Sequence, residues 1–164
     1  MISLNKRRTF LKVGFFSSAI VFTNGCDILG VEKLSDTIKV VQNDLFPKAK
    51  ELHINISKYM NIIFQHSRVD ETDKEFIKNG IKWLNEEAVK MFEVPYTKLS
   101  KSKRQEVLEG IAKYRWGENW IDNMMRYIFE AMLGDPLYSG NNEEAGWKWL
   151  GFKGGNPRPK ELYL

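Results

Sequence analysis

Apolar residues along most of the chain return at intervals of three and four, the period of a helix with one buried face. Val31, Leu34, Ile38, Val41 and Leu45 form one such stripe, and Pro47 just beyond it predicts its end. Leu52, Ile56, Tyr59, Met60 and Ile63 form a second, its start blurred by Ile54 lying so close to Ile56. Thr72 and Glu75 have the spacing of a capping box. They predict the start of a third helix with the stripe Ile77, Ile81, Leu84, Ala88 and Met91, ending before Pro95. Ser100 can cap a fourth helix that holds Val107, Leu108, Ile111 and Ala112. A fifth runs from about Trp120 to Leu133. Its apolar arc (Ile121, Met124, Met125, Ile128, Met132) is wide, which predicts deep burial. Gly134 and Pro136 terminate it. No run alternates with period two for long enough to read as a strand. The pattern therefore predicts an all-α fold, a bundle of four or five helices.

The pattern breaks at Gly134. From there to Leu164 the chain has six glycines and three prolines, which rule out a continuous helix. Among them stand Tyr138, Trp147, Trp149, Phe152 and Tyr163. So many aromatics are too apolar for a freely solvated tail. This irregular Gly/Pro/aromatic C-terminal arm must pack on the bundle or on another protein, and the sequence leaves both open.

The N-terminus is different again. Lys6, Arg7, Arg8 and Lys12 form a basic region, followed by the short apolar run Val13 to Phe22. That run falls well short of the roughly 20 apolar residues of a spanning helix, and basic flank plus short apolar core is the layout of a signal peptide. Residues 1–25 hold four basic groups and no acidic ones. Of the 25 Lys+Arg and 21 Asp+Glu in the whole chain, residues 26–164 therefore keep 21 of each sign. The net charge of +4 belongs to the N-terminal segment, and a balanced remainder argues against binding nucleic acid through its phosphates. The organisation expected is a signal peptide over 1–25, a helical bundle over 26–133 and the arm over 134–164.

Little in the chain suits chemistry of its own. Cys26 is the only cysteine, which excludes an intrachain disulfide, a Cys-rich zinc site, an iron–sulfur cluster and a C-x-x-C-H haem attachment. His53 and His66 are the only histidines and lack the H-x-x-x-H spacing. Gly151-Phe152-Lys153-Gly154-Gly155-Asn156 is glycine-rich without being a dinucleotide or P-loop fingerprint. Glu86-Glu87 is an adjacent pair whose side chains diverge on a helix, as expected of a solvated face. No catalytic residue, cofactor site or metal site is expected in this chain.

Lys6-Arg7-Arg8-Thr9-Phe10-Leu11-Lys12 resembles the twin-arginine export motif at six of seven positions, with Lys6 in place of the usual Ser or Thr and with Arg7, Arg8, Phe10 and Leu11 as its recognition residues. The resemblance implies passage through the twin-arginine translocase, a route that moves folded proteins. Thr23-Asn24-Gly25-Cys26 resembles a lipoprotein cleavage site. It implies acylation of Cys26 and attachment of the domain to a membrane surface. Residues in the arm carry a third likeness. Gly134-Asp135-Pro136-Leu137-Tyr138-Ser139-Gly140-Asn141, then Gly146-Trp147-Lys148-Trp149-Leu150-Gly151-Phe152, resemble the signature of the gluconate 2-dehydrogenase subunit 3 family. Ser139 stands where the family usually has Gly, and Leu45-Phe46-Pro47 matches an early Leu-x-Pro. The matching positions are Gly134, Asp135, Pro136, Tyr138, Gly140, Asn141, Gly146, Trp147, Gly151 and Phe152. The resemblance implies a helical small subunit exported to the periplasm. Its partner would be a large FAD-containing subunit of the glucose–methanol–choline type, with a cytochrome c subunit or quinone taking the electrons. FAD and the oxidation chemistry belong to that partner. The glycines then serve turns and close approaches, Asp135-Pro136 a turn, Asn141 bonds to loop backbone, and Trp147 and Phe152 buried area. A stand-alone helical lipoprotein with a structural or chaperone role is the alternative, and a cofactor-binding electron carrier the third reading.

Overall fold

The computed structural model describes residues 34–162. The twin-arginine motif, Cys26, Val31 and Tyr163 lie outside the described residues. Within them the chain is all-α. Helix α1 spans Leu34–Leu45, α2 Pro47–Glu51, α3 Ile56–Gln65, α4 Glu71–Phe92, α5 Lys101–Ile111, α6 Arg115–Leu133 and α7 Ala145–Leu150. Five of these are the predicted stripes; α2 and α7 are short additions.

Several boundaries differ from expectation for local reasons. Pro47 does not simply end a helix but begins the next, at the first position, where the missing N–H has no helical partner to lose. Helix α3 starts only at Ile56, because the Asn55 carboxamide caps it by accepting from the Lys58 amide at 3.0 Å. Leu52 is left outside. The cap of α4 is Asp70, not Thr72: its carboxylate accepts from the Thr72 amide at 2.8 Å and from the Thr72 hydroxyl at 2.7 Å. A carboxylate gains from the helix dipole as well as from the bond, and the amide hydrogen bond from Thr72 holds the Asp70 carboxyl below the usual carboxylate range. Ser100 caps α5 as read. Ala112 falls past the end of α5 and is exposed. Met91, at the end of the α4 stripe, is exposed too. Helix α6 begins five residues before Trp120, at Arg115, a start that its first turn, with Gly117 and no side-chain cap, does not announce.

Helix α6 is the hub: α1, α3, α4, α5 and α7 all pack on it. Its Trp120, Met124, Ile128 and Met132 are wholly buried, against Val41, Met60, Leu84 and Ile111. The Trp120 indole lies on Gly80 of α4 and donates to the Ile77 carbonyl at 3.2 Å. The wide arc of α6 is not buried throughout, however. Ile121 and Met125 are half-buried, and Phe129 and Leu133 on the same helix are exposed. Among the described residues no helix is long and apolar enough to cross a membrane.

Polar side chains tie distant segments together inside this core. The buried Gln42 carboxamide donates to the Ile54 carbonyl at 3.2 Å and accepts from the Ile56 amide at 3.0 Å, pinning the α2–α3 loop to α1. Asp44 on α1 receives a two-pronged contact from Arg104 on α5, at 2.6 and 3.0 Å, and a hydrogen bond from the Tyr96 hydroxyl at 2.9 Å. Arg104 also donates to the Leu99 carbonyl at 2.7 Å. A bidentate pair satisfied on all sides fixes orientation more than it adds net stability. Tyr59 on α3 similarly donates to Glu130 on α6 at 3.0 Å.

Burial, followed by the neighbouring carboxylates, pushes both phenols well above their ordinary value of 10.0. A group whose folded pKa is raised contributes fully below its unfolded pKa and loses that contribution as pH rises. Stability should therefore be insensitive to these tyrosines up to about pH 10 and fall above it, as tyrosine ionises first in the unfolded chain. Urea titrations between pH 8 and pH 11 should show that fall, and Tyr96→Phe should flatten it; an unchanged slope in the variant would remove Tyr96 from this role.

Candidate functional site

The arm is built around its glycines and one asparagine. After α6 ends at Leu133, the Asp135 carboxylate accepts from the Leu137 amide at 2.9 Å and so caps a 3-10 turn over Pro136–Tyr138, with proline at its first position. The turn ends at Ser139 with φ 61°, in the left-handed region. Glycine enters that region freely, whereas other residues meet a cost of about 1–2 kcal/mol, so the departure at Ser139 carries strain. A second 3-10 turn spans Asn142–Glu144, and α7 follows.

Asn141 is wholly buried between these pieces. Its Nδ2 donates to the Gly134 carbonyl at 3.0 Å, and its Oδ1 accepts from the Gly146 amide at 2.8 Å. One carboxamide therefore joins the end of α6 to the first turn of α7. Gly146 then lies flat against α6: a Cβ there would fall on the Met132 carbonyl oxygen, and one at Gly140 would meet the Ala131 backbone. Close backbone approach is the reason for glycine at both.

The remaining signature positions form a helix stop. Gly151 has φ 67°. Its amide bonds the Lys148 carbonyl at 3.2 Å, and the Phe152 amide bonds the Trp147 carbonyl at 2.9 Å. This is a Schellman motif, whose usual hydrophobic contact joins the residue after the glycine to the third from the helix end. Here those residues are Phe152 and Trp147, edge to face with ring centroids 5.5 Å apart. Trp147 is buried, and its Nε1–H donates to the Leu133 carbonyl at 2.6 Å. Phe152 covers the outer edge of that ring and remains 55% exposed, so it does not supply the buried area expected of it.

Beyond the motif the chain folds back. Arg158 stacks over Trp147 at 4.4 Å and bonds Asp135 at 3.1 Å and Glu144 at 3.2 Å. Nothing in the sequence singled out Arg158; the free second oxygen of a capping aspartate was the available hint. The arm is thus not wholly irregular, and it reaches back to the loop between α2 and α3. The Gly140 carbonyl accepts from the Asn55 amide at 3.1 Å, and Asn142 donates to the His53 carbonyl at 3.1 Å. Gly134, Asp135, Pro136 and Tyr138 are half-buried around this junction.

Two surfaces flank the arm. One is an open cleft of about 870 Å³ between the 3-10 turns and the returning tail, lined by Leu137, Lys148, Phe152, Lys153 and Arg158 among others. The other is an apolar strip. Phe46 packs on Phe129 at 5.1 Å and on Trp149 at 6.3 Å between ring centroids, with exposed Leu133 on α6 and exposed Leu150 on α7. The sequence reading missed Phe46, Phe129 and Leu133. For Phe129 and Leu133 the signal was an apolar surplus on α6, broader than one buried face requires. His66 follows α3 as its C-terminal cap residue, and its Nδ1 accepts from the Arg68 amide at 3.1 Å. Among the described residues no group of three or more His, Cys, Asp or Glu lies together.

A family model described as gluconate 2-dehydrogenase subunit 3 matches residues 31–155, which takes in the bundle and the arm through the helix stop. No curated protein and no solved structure matches the chain.

Proposed function

The chain belongs to the gluconate 2-dehydrogenase subunit 3 family, and from that premise we propose that it is the accessory subunit of a periplasmic flavin-dependent dehydrogenase. In this reading it supplies the twin-arginine address for a large subunit that folds around FAD in the cytoplasm, and it supports that subunit's maturation and assembly. Acylated Cys26 then holds the complex at the membrane surface. The supporting observation is how the signature uses its polar groups. Asp135, Asn141 and the Trp147 indole N–H are all committed to bonds within the chain, and Arg158, beyond the signature, bonds Asp135 and Glu144. Such an arrangement suits a rigid scaffold, while substrate, FAD and electron transfer belong to the partner.

The export test is a double substitution, Arg7→Lys with Arg8→Lys. It keeps both charges and removes the planar guanidinium forks, so it probes recognition rather than charge. Both this chain and the flavoprotein should accumulate in the cytoplasm, and periplasmic dehydrogenase activity should vanish on fractionation. Normal delivery of the flavoprotein by the double variant would sink the carrier role.

A further inference from the structure

The returning tail, residues 153–162, is held to the rest of the chain at one place. Only Gly154 and Arg158 in it are sheltered from solvent. Among the described residues no backbone group of this segment bonds to the rest of the chain, and each of its side-chain hydrogen bonds comes from Arg158. Beside it lies the open cleft of about 870 Å³ in place of packed side chains. A segment with few buried contacts and a solvated backbone opens at low cost, independently of the core. The single attachment is compact. The Arg158 guanidinium joins Asp135 to Glu144 while stacking over Trp147. Gly154 is threaded between the two: a Cβ there would fall on the guanidinium and on the Trp147 ring, whereas one at Gly155 would meet nothing. Asp135 caps its 3-10 turn with Oδ1 and holds Arg158 with Oδ2, so losing one contact leaves the other in place. Lys148 and Lys153 line the same cleft and oppose the guanidinium by like charge.

We propose that residues 153–162 form a strap with one electrostatic latch, Arg158, whose release swings the strap off Trp147 while the bundle and α7 stay folded. The root of the strap is the glycine stop at Gly151 and Phe152, which bonds only within α7 and does not depend on Arg158. Trp147 likewise keeps its own bond to the Leu133 carbonyl. Release therefore uncovers one face of a ring that remains fixed from below, and it opens the cleft to solvent on the tail side. The contacts that resist it are an ion pair and a cation–π contact at a half-buried side chain. Both are modest and both weaken with loss of the guanidinium, and the ion pair also weakens with salt.

The test is fluorine NMR on the full chain labelled with 5-fluorotryptophan, which gives one signal for each of its five tryptophans. The Trp147 signal is assigned by its loss in Trp147→Phe. Arg158→Ala should raise the open fraction about tenfold. The Trp147 signal then moves toward its position in the urea-unfolded chain and shifts more between H2O and D2O. The Trp120 signal, from the buried ring on α6, and the urea midpoint should stay in place. Arg158→Lys keeps the charge without the planar fork and should fall between. About 1 M NaCl should move the wild-type signal the same way and add little in Arg158→Ala. Gly154→Ala should open the strap with every charge retained, and Gly155→Ala should not. Removing a guanidinium changes the field at the ring even if nothing moves, so the salt and Gly154→Ala results decide. A Trp147 signal that ignores both overturns the latch. So does a Trp120 signal that moves with it in Arg158→Ala, because Arg158 would then support the whole fold and not a strap.

Discussion

Trp147→Ala should lower the unfolding free energy by about 3–5 kcal/mol, the range for truncating a large buried aromatic. The ring is 7% exposed. It is enclosed by α6 beneath, Phe152 at its edge, the Gly154 backbone and the Arg158 guanidinium above. Truncation empties the space on which the returning tail rests and leaves the Leu133 carbonyl without its donor. Trp147→Phe keeps most of the apolar contact and isolates that hydrogen bond, so it should cost about 1–2 kcal/mol. Phe152→Ala should cost less than the tryptophan change by a wide margin, because more than half of that ring is already in water. Urea midpoints for the three variants would establish the order. If Trp147→Ala falls within 1 kcal/mol of wild type, about the net value of a single hydrogen bond, the arm is not organised around this ring.

Asn141→Ala is the second large effect expected. The substitution strands the buried Gly146 amide, at a cost of about 1–3 kcal/mol, and removes the donor to the half-buried Gly134 carbonyl. Asn141→Asp retains the acceptor but has no donor for Gly134 and places a carboxylate in a wholly buried position. It should therefore be no better than alanine at neutral pH. Hydrogen exchange gives a local reading: the Gly146 amide should lose protection in the alanine variant while amides in the middle of α4 keep theirs. Equal protection at Gly146 in variant and wild type would mean that water or another group replaces the carboxamide.

The helices were legible because each pairs a single apolar face with punctuation that the backbone obeys. The α4 stripe from Ile77 to Ala88 and the Ser100 cap show this directly. Where two residues could do the same task, pattern alone chose wrongly. Asp70 and Thr72 can both cap, and charge decided between them. Pro47 follows the end of α1 at Leu45, as read, and also starts the next helix, which the pattern did not announce. In the arm, composition announced turns and close approaches, and the structure assigns them to Gly140, Gly146 and Gly151. Composition could not say which aromatic lies inside. Trp147 and Trp149 are two residues apart on one short helix and face opposite ways, one into α6 and one into solvent. Nor could it show the ties between Asn55 and Gly140 or between Asp44 and Arg104, which join segments far apart in sequence. Pairings of that range depend on how the whole bundle closes and leave no local signature.

The tie between Asn55 and Gly140 also bears on when this protein can finish folding. During synthesis the first helices emerge early, yet the start of α3 is tied to residues made much later: the Asn55 amide donates to the Gly140 carbonyl, and Asn142 donates to the His53 carbonyl. Contacts that close so long a loop form only after its entropy has been lost. The loop before α3 therefore gains these bonds only once residues 140–142 have been made and brought to it. A chain cut short before residue 134 would then leave the His53–Asn55 loop unfinished as well as the end of α6.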